Sequence, residues 1–102
     1  MGFGINVGPM ITHIVLFKFE NLERAHEAVE KLLGMNGRVP SLAGVEAGLD
    51  VTRSARSYEV GLITRHSSRE DLEAYQVDPF HQQVAAFIRQ HSSGAAAVDF
   101  ES

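Results

Sequence analysis

The stretch Ile11-Thr12-His13-Ile14-Val15-Leu16-Phe17-Lys18-Phe19 constrains the fold more than any other part of the chain. Its β-branched and aromatic residues, with no Gly or Pro among them, predict a strand. Successive side chains of a strand point to opposite faces. His13, Val15, Phe17 and Phe19 therefore share one face, and Thr12, Ile14, Leu16 and Lys18 the other. Both faces carry large apolar groups, so both need cover. The chain's own helices supply one layer. The other calls for a second sheet, and a domain of 102 residues buries so modest a share of its surface that a second copy is a natural source. His13 stands out as a polar group on a face that otherwise reads as core.

Charge and composition exclude several classes. The net charge is −4 and the nine Lys and Arg residues are scattered singly, so no basic cluster exists to neutralise a phosphate backbone, and no nucleic acid partner is expected. There is no cysteine, which removes disulfides, thiolate metal sites and a Cys nucleophile, and fits a cytoplasmic protein. The apolar runs are too short to span a membrane. Residues 1–9, Met-Gly-Phe-Gly-Ile-Asn-Val-Gly-Pro, lack the charged start and apolar run of a signal peptide. They read as a flexible leader or an appended segment, with the domain proper spanning 10–102.

The remaining pattern alternates between periods. Asn21 is placed to cap a helix whose stripe is Leu22, Ala25, Val29, Leu32 and Leu33, stopped by Gly34 and Asn36-Gly37. A second strand is expected over Val45 to Val51 and a third over Tyr58 to Thr64. Ser67-Ser68-Arg69-Glu70 has the form of a capping box and opens a short helix carrying Leu72 and Tyr75. Val77-Asp78-Pro79 interrupts it, with Asp78 suited to cap a new helix and Pro79 to begin one. Phe80, Val84, Phe87, Ile88 and His91 recur at helical spacing, and a fourth strand runs from Ala95 to Phe100 with Asp99 facing away from Ala96, Val98 and Phe100. The order is the split βαβ pattern: an α+β, ferredoxin-like βαββαβ domain with a four-stranded antiparallel sheet.

Chemistry concentrates in Tyr75-Gln76-Val77-Asp78-Pro79-Phe80-His81. It puts a phenol at the end of one helix and an imidazole in the first turn of the next. A helix N-terminus disfavours positive charge, so His81 tends to stay neutral and fit to act as a general base. Tyr75 can donate to a developing oxyanion. If His13 faces the same helices, two imidazoles and a phenol meet within an apolar wall, the composition of a small-molecule site. Each also has a plain structural role: His13 as a satisfied core histidine, Tyr75 as an aromatic anchor, His81 as a helix-start residue. His66 and His91 sit among polar residues and are expected at the surface. Asp78 and His81 at i, i+3 could bind a metal with His13, but no third ligand is compelling and Asp78 is fully explained as a cap, so no metal is expected. No cofactor is expected either, since Gly2-x-Gly4 lacks the strand-to-helix context of a nucleotide motif.

Taken together, these fragments resemble the stress-responsive α/β-barrel (Dabb) domain family. The resemblance is carried by His13 to Phe19, by Val39-Pro40-Ser41-Leu42-Ala43-Gly44-Val45-Glu46-Ala47-Gly48, by Tyr58, by Leu72-Glu73-Ala74-Tyr75 with Asp78-Pro79-Phe80-His81, and by Val98-Asp99-Phe100. It implies a homodimer in which two sheets meet as an α/β barrel with the helices outside, so the partner covers Ile14 and Leu16. It places a ligand cavity on the opposite face, where His13, Val15, Phe17, Tyr58, Val60 and Phe87 are expected to line it. The family includes plant stress proteins and polyketide cyclases of the olivetolic acid type, whose catalytic tyrosine and histidine fall on Tyr75 and His81. The chain departs from those cyclases at Val60, where they carry a further pocket histidine, and at Asp78, where their motif often begins with histidine. Three readings stay open: a binding protein for a small hydrophobic or phenolic ligand, a cofactor-independent cyclase- or lyase-like enzyme, and a purely structural dimer.

Overall fold

The described residues of this computed structural model are 10–102, so the expected leader at 1–9 lies outside them. The elements are β1 (Ile11–Lys18), α1 (Leu22–Leu33), β2 (Gly44–Leu49), β3 (Val60–His66), α2 (Arg69–Val77), α3 (Pro79–His91) and β4 (Gly94–Glu101). The strands form one antiparallel sheet in the order β2-β3-β1-β4, the ferredoxin-like arrangement.

Each helix begins where a side chain replaces a missing backbone partner. Asn21 accepts from the N–H groups of Glu23 and Arg24. Ser68 accepts from Asp71. Asp78 accepts from Phe80 and His81 at 2.8 and 3.1 Å, with Pro79 in the first helical position. The apolar stripe of α1 is turned from the predicted one. Ala25, Ala28 and Leu32 are buried, whereas Leu22 and Leu33 are 41% and 43% exposed. Small side chains let the helix lie close on the sheet, which shifts the contact line toward the alanines.

Two strand ends differ from the sequence-based bounds. β2 stops at Leu49 because Asp50 accepts a hydrogen bond from the Arg53 N–H and starts a turn in which Arg53 takes a left-handed backbone (φ 57°). Val51, assigned to the strand by its β-branching, is 92% exposed in that turn. β3 begins and ends two residues later than expected, which preserves the alternation: Val60, Leu62, Thr64 and His66 are buried in sequence.

All three helices lie on one face of the sheet. α1 rests on β2 and β3 and against α3, while α2 packs on β3 and α3. The core between them gathers Val15, Phe19, Leu32, Met35, Val60, Leu62, Tyr75, Val84 and Ile88. The opposite face bears Ile14, Leu16, Ile63, Val98 and Phe100 without cover from the described residues, and β4 is exposed from Ala95 onward.

Candidate functional site

Alternation along β1 and β3 and the break between α2 and α3 bring four rings together under the helices. Tyr75, in the last full turn of α2, is 1% exposed. Its ring centre lies 4.0 Å from that of His81, 4.8 Å from His66 and 6.0 Å from His13. Beside them is a cavity of about 200 Å³ lined by His13, Val15, Phe17, Leu32, Leu62, Tyr75, His81, Val84, Ala85, Ile88 and Arg89.

The four rings are not equally satisfied. His66 Nδ1 is 2.8 Å from the Ser41 carbonyl, which can only accept, so this nitrogen carries the proton. Its Nε2 then accepts from the Thr64 hydroxyl at 2.9 Å. His13 Nδ1 is hydrogen-bonded to Asp99, the residue directly opposite it on β4. By contrast, the Tyr75 hydroxyl and His81 Nδ1 are buried and have no hydrogen-bond partner. Such groups are rare in native proteins and costly to leave unmade.

Burial also sets their protonation. Loss of hydration pushes the Tyr75 phenol well above its ordinary value, and the nearby Thr64 hydroxyl opposes this. Loss of hydration lowers His81, and the charge of His13 adds to this, while the backbone at Gln76 and the Asp78 carboxylate oppose it. His81 is therefore a neutral acceptor at neutral pH, and Tyr75 a protonated donor.

The stress responsive A/B barrel domain, Dabb, matches residues 11–102, nearly the whole chain. The chain belongs to the Dabb family. No curated protein sequence matches it. Among solved structures it is similar to a dimeric protein of unknown function and ferredoxin-like fold from Bacteroides fragilis, at 20% identity and TM-score 0.84 over 95% of this chain and 100% of that one. A dimeric ferredoxin-like protein from Thermobifida fusca is 23% identical, with TM-score 0.82 over 93% and 92% of the two chains. A hydroxynitrile lyase from Passiflora edulis is 11% identical, with TM-score 0.79 over 91% and 93%. At these identities the likeness establishes the fold.

Within this Dabb domain, His13, Val15, Phe17, Tyr75 and His81 all face the cavity. The other three residues expected there do not. Tyr58 precedes β3, and its ring lies under the Lys18 ammonium at the rim of a shallow hollow on the opposite sheet face. Val60 is on the predicted face but is packed into the core. Phe87 points along α1, between Lys31 and His91, because the cavity-facing stripe of α3 runs through positions 81, 84, 85 and 88 instead.

His66 corrects the expectation of a surface residue: it is 0% exposed. Polar neighbours in sequence suggested a loop, yet period two from Val60 and Leu62 places it on the buried face. Asp99 as the partner of His13 was not foreseen. Alternation gives its face, but only the β1–β4 register gives its partner. Arg89, at the cavity's mouth, was also missed, because its place in the stripe follows only once His81 is known to face inward. Among the described residues, no group of three His, Cys, Asp or Glu side chains is placed to hold a metal ion.

Proposed function

We propose that this Dabb domain acts as a homodimer, each subunit binding one small, largely apolar molecule between sheet and helices, with the ligand's oxygen at Tyr75 and His81. The observation that carries this reading is the pair of buried, unpartnered atoms, the Tyr75 hydroxyl and His81 Nδ1, beside a mostly apolar cavity. A ligand oxygen would accept from the phenol, and a ligand proton would be shared with the imidazole. A purely structural role gives no reason to leave both unmade. The volume of about 200 Å³ suits a single substituted ring, since an apolar cavity on the order of 150 Å³ already holds benzene. Homodimerisation is supported by the dimeric state of similar structures and by the apolar face opposite the helices.

Catalysis is a second reading, favoured by the lowered affinity of His81 for protons. In an aldol-type closure, His81 Nδ1 takes the proton next to a carbonyl, and the electron pair becomes an enolate whose oxygen accepts from Tyr75. The enolate carbon then attacks a second carbonyl, forming the carbon–carbon bond. The resulting alkoxide regains the proton from the imidazolium. All atoms and electrons balance without a cofactor. That a protein of similar fold is a hydroxynitrile lyase supports an enzymatic use of this architecture.

Calorimetric titration with p-cresol tests the binding reading. Saturable binding is expected at one site per subunit. Tyr75→Phe should weaken it by roughly tenfold, the worth of one hydrogen bond in a dry site. The same variant should keep or slightly raise thermal stability, because it deletes an unpaired polar group. A stability loss with unchanged p-cresol affinity would make Tyr75 a structural residue and overturn the proposal.

A further inference from the structure

The cavity has a polar end and a charged mouth, and the distance between them restricts what can fill it. His81, Val84, Ala85, Ile88 and Arg89 form one stripe of α3, and all five line the cavity. His81 lies in the first turn and Arg89 in the last, so their Cα atoms are about 12 Å apart along the axis at ~1.5 Å rise per residue. Side chains on a helix lean toward its N-terminus, which shortens the span between the two groups. Between the two ends the wall is apolar, and Ala85 adds the least bulk of the residues on the stripe.

Nothing in the cavity answers the charge of Arg89. No Asp or Glu lines it. Arg89, like Arg38, Arg53 and Arg56, forms no ion pair among the described residues, whereas Arg24, Arg65 and Arg69 each have a carboxylate. Of the four without one, Arg89 alone lines this cavity. Asp99, on the cavity side of the sheet, is already held by His13. The chain as a whole carries −4, so an anion reaching this mouth would be drawn by Arg89 itself and not by bulk charge.

We infer that the ligand is a small carboxylic acid, with a compact ring in the apolar middle, a phenolic or carbonyl oxygen at Tyr75 and His81, and its carboxylate at Arg89. The inference rests on the cavity reading above and names the class of molecule the cavity takes. A guanidinium matches a carboxylate by two parallel hydrogen bonds, which makes Arg89 a specificity residue and not only a favourable charge at a helix C-terminus.

The test compares 4-hydroxyphenylacetate, 4-hydroxyphenylacetamide and p-cresol by calorimetry on the purified full chain. The acid should bind roughly tenfold tighter than the amide at low salt, and the gap should narrow as salt rises. Arg89→Gln should bring the acid-to-amide ratio near one, and Arg89→Lys should restore part of it. p-Cresol, which has no carboxylate, should lose much less affinity than the acid in either variant. A purely helix-stabilising Arg89 would alter melting temperature and leave the ratio alone, which overturns the inference. Binding of p-cresol without preference for the acid also overturns it, while the cavity reading survives. Failure of all three compounds removes both. If Arg89→Gln does not fold, the wild-type ratio and its salt dependence decide.

Discussion

Protonating His66 or His81 costs hydration that neither site fully replaces. Burial is the main cause of the lowered pKa in both; the Ser41 backbone, Asp71 and Asp99 oppose it at His66, as the Gln76 backbone and Asp78 do at His81, and the charge of His13 adds to it. The unfolded chain takes up protons near the ordinary histidine value of about 6.5, before the folded chain does. Between those two values the unfolded state holds more protons, so stability falls as pH falls. The unfolding midpoint in urea should be flat above about pH 7 and drop between there and pH 5. His66→Gln should lower the plateau by disturbing the Ser41 and Thr64 hydrogen bonds, yet flatten the slope by removing one titrating group. A midpoint constant down to pH 5 would contradict both shifts. The same residues mark how far single positions can be read from a sequence. His13, Tyr75 and His81 were legible because helix breaks and strand alternation are local. The burial of His66 was available from period two but masked by Arg65 and Ser67, and the contact of His13 with Asp99 depends on a pairing 86 residues away.

Asp78 holds the junction of α2 and α3, and with it the site. Its carboxylate accepts from the N–H groups of Phe80 and His81, so the cap fixes the backbone from which the imidazole hangs. Asp78→Ala should cost about 1 kcal/mol of stability by chemical denaturation, the usual worth of such a cap. Asp78→Asn, which keeps the acceptor oxygen, should recover most of it. Affinity for p-cresol should fall further in the alanine variant than in the asparagine one, because a frayed first turn misplaces His81. Equal affinities would show that the cap stabilises the helix without positioning the ring. Elements of this kind are the most legible ones: Asn21, Ser68 and Asp78 each announce a helix start. The stripe of α1 was legible in part: Ala25 and Leu32 were placed on it, but Ala28 carries little hydrophobic signal beside Leu22 and Leu33, although it is fully buried. The end of β2 was hidden for a related reason. Val51 has strand-like chemistry, and the Asp50 turn that excludes it is a contact between backbone and side chain.

At the scale of the molecule, the sheet is a two-sided layer with helices on one side. Leu16, Val98 and Phe100 remain 39%, 54% and 45% exposed on the other, beside Ile14 and Ile63. Fully burying an aliphatic or aromatic side chain of this size is worth roughly 1.5–3 kcal/mol, so a second sheet packed here would gain substantially from few residues. The apolar character of β1 on both faces showed this need directly in the sequence. Leu16→Asp places a charge at the middle of that face, where burial without a partner is prohibitive. Sedimentation velocity should show a dimer for the parent protein and a monomer for this variant, with a lower melting temperature that no longer depends on concentration. Val51→Asp, in the exposed turn after β2, should change neither. A monomeric parent, or a dimeric Leu16→Asp, would place the interface elsewhere. The cavity lies on the opposite side of the sheet, and the residues of this chain already form its wall. Binding of p-cresol should therefore persist in a folded Leu16→Asp monomer. Its loss there would mean that pairing of the sheets holds β1, and with it His13, in the position the ligand requires.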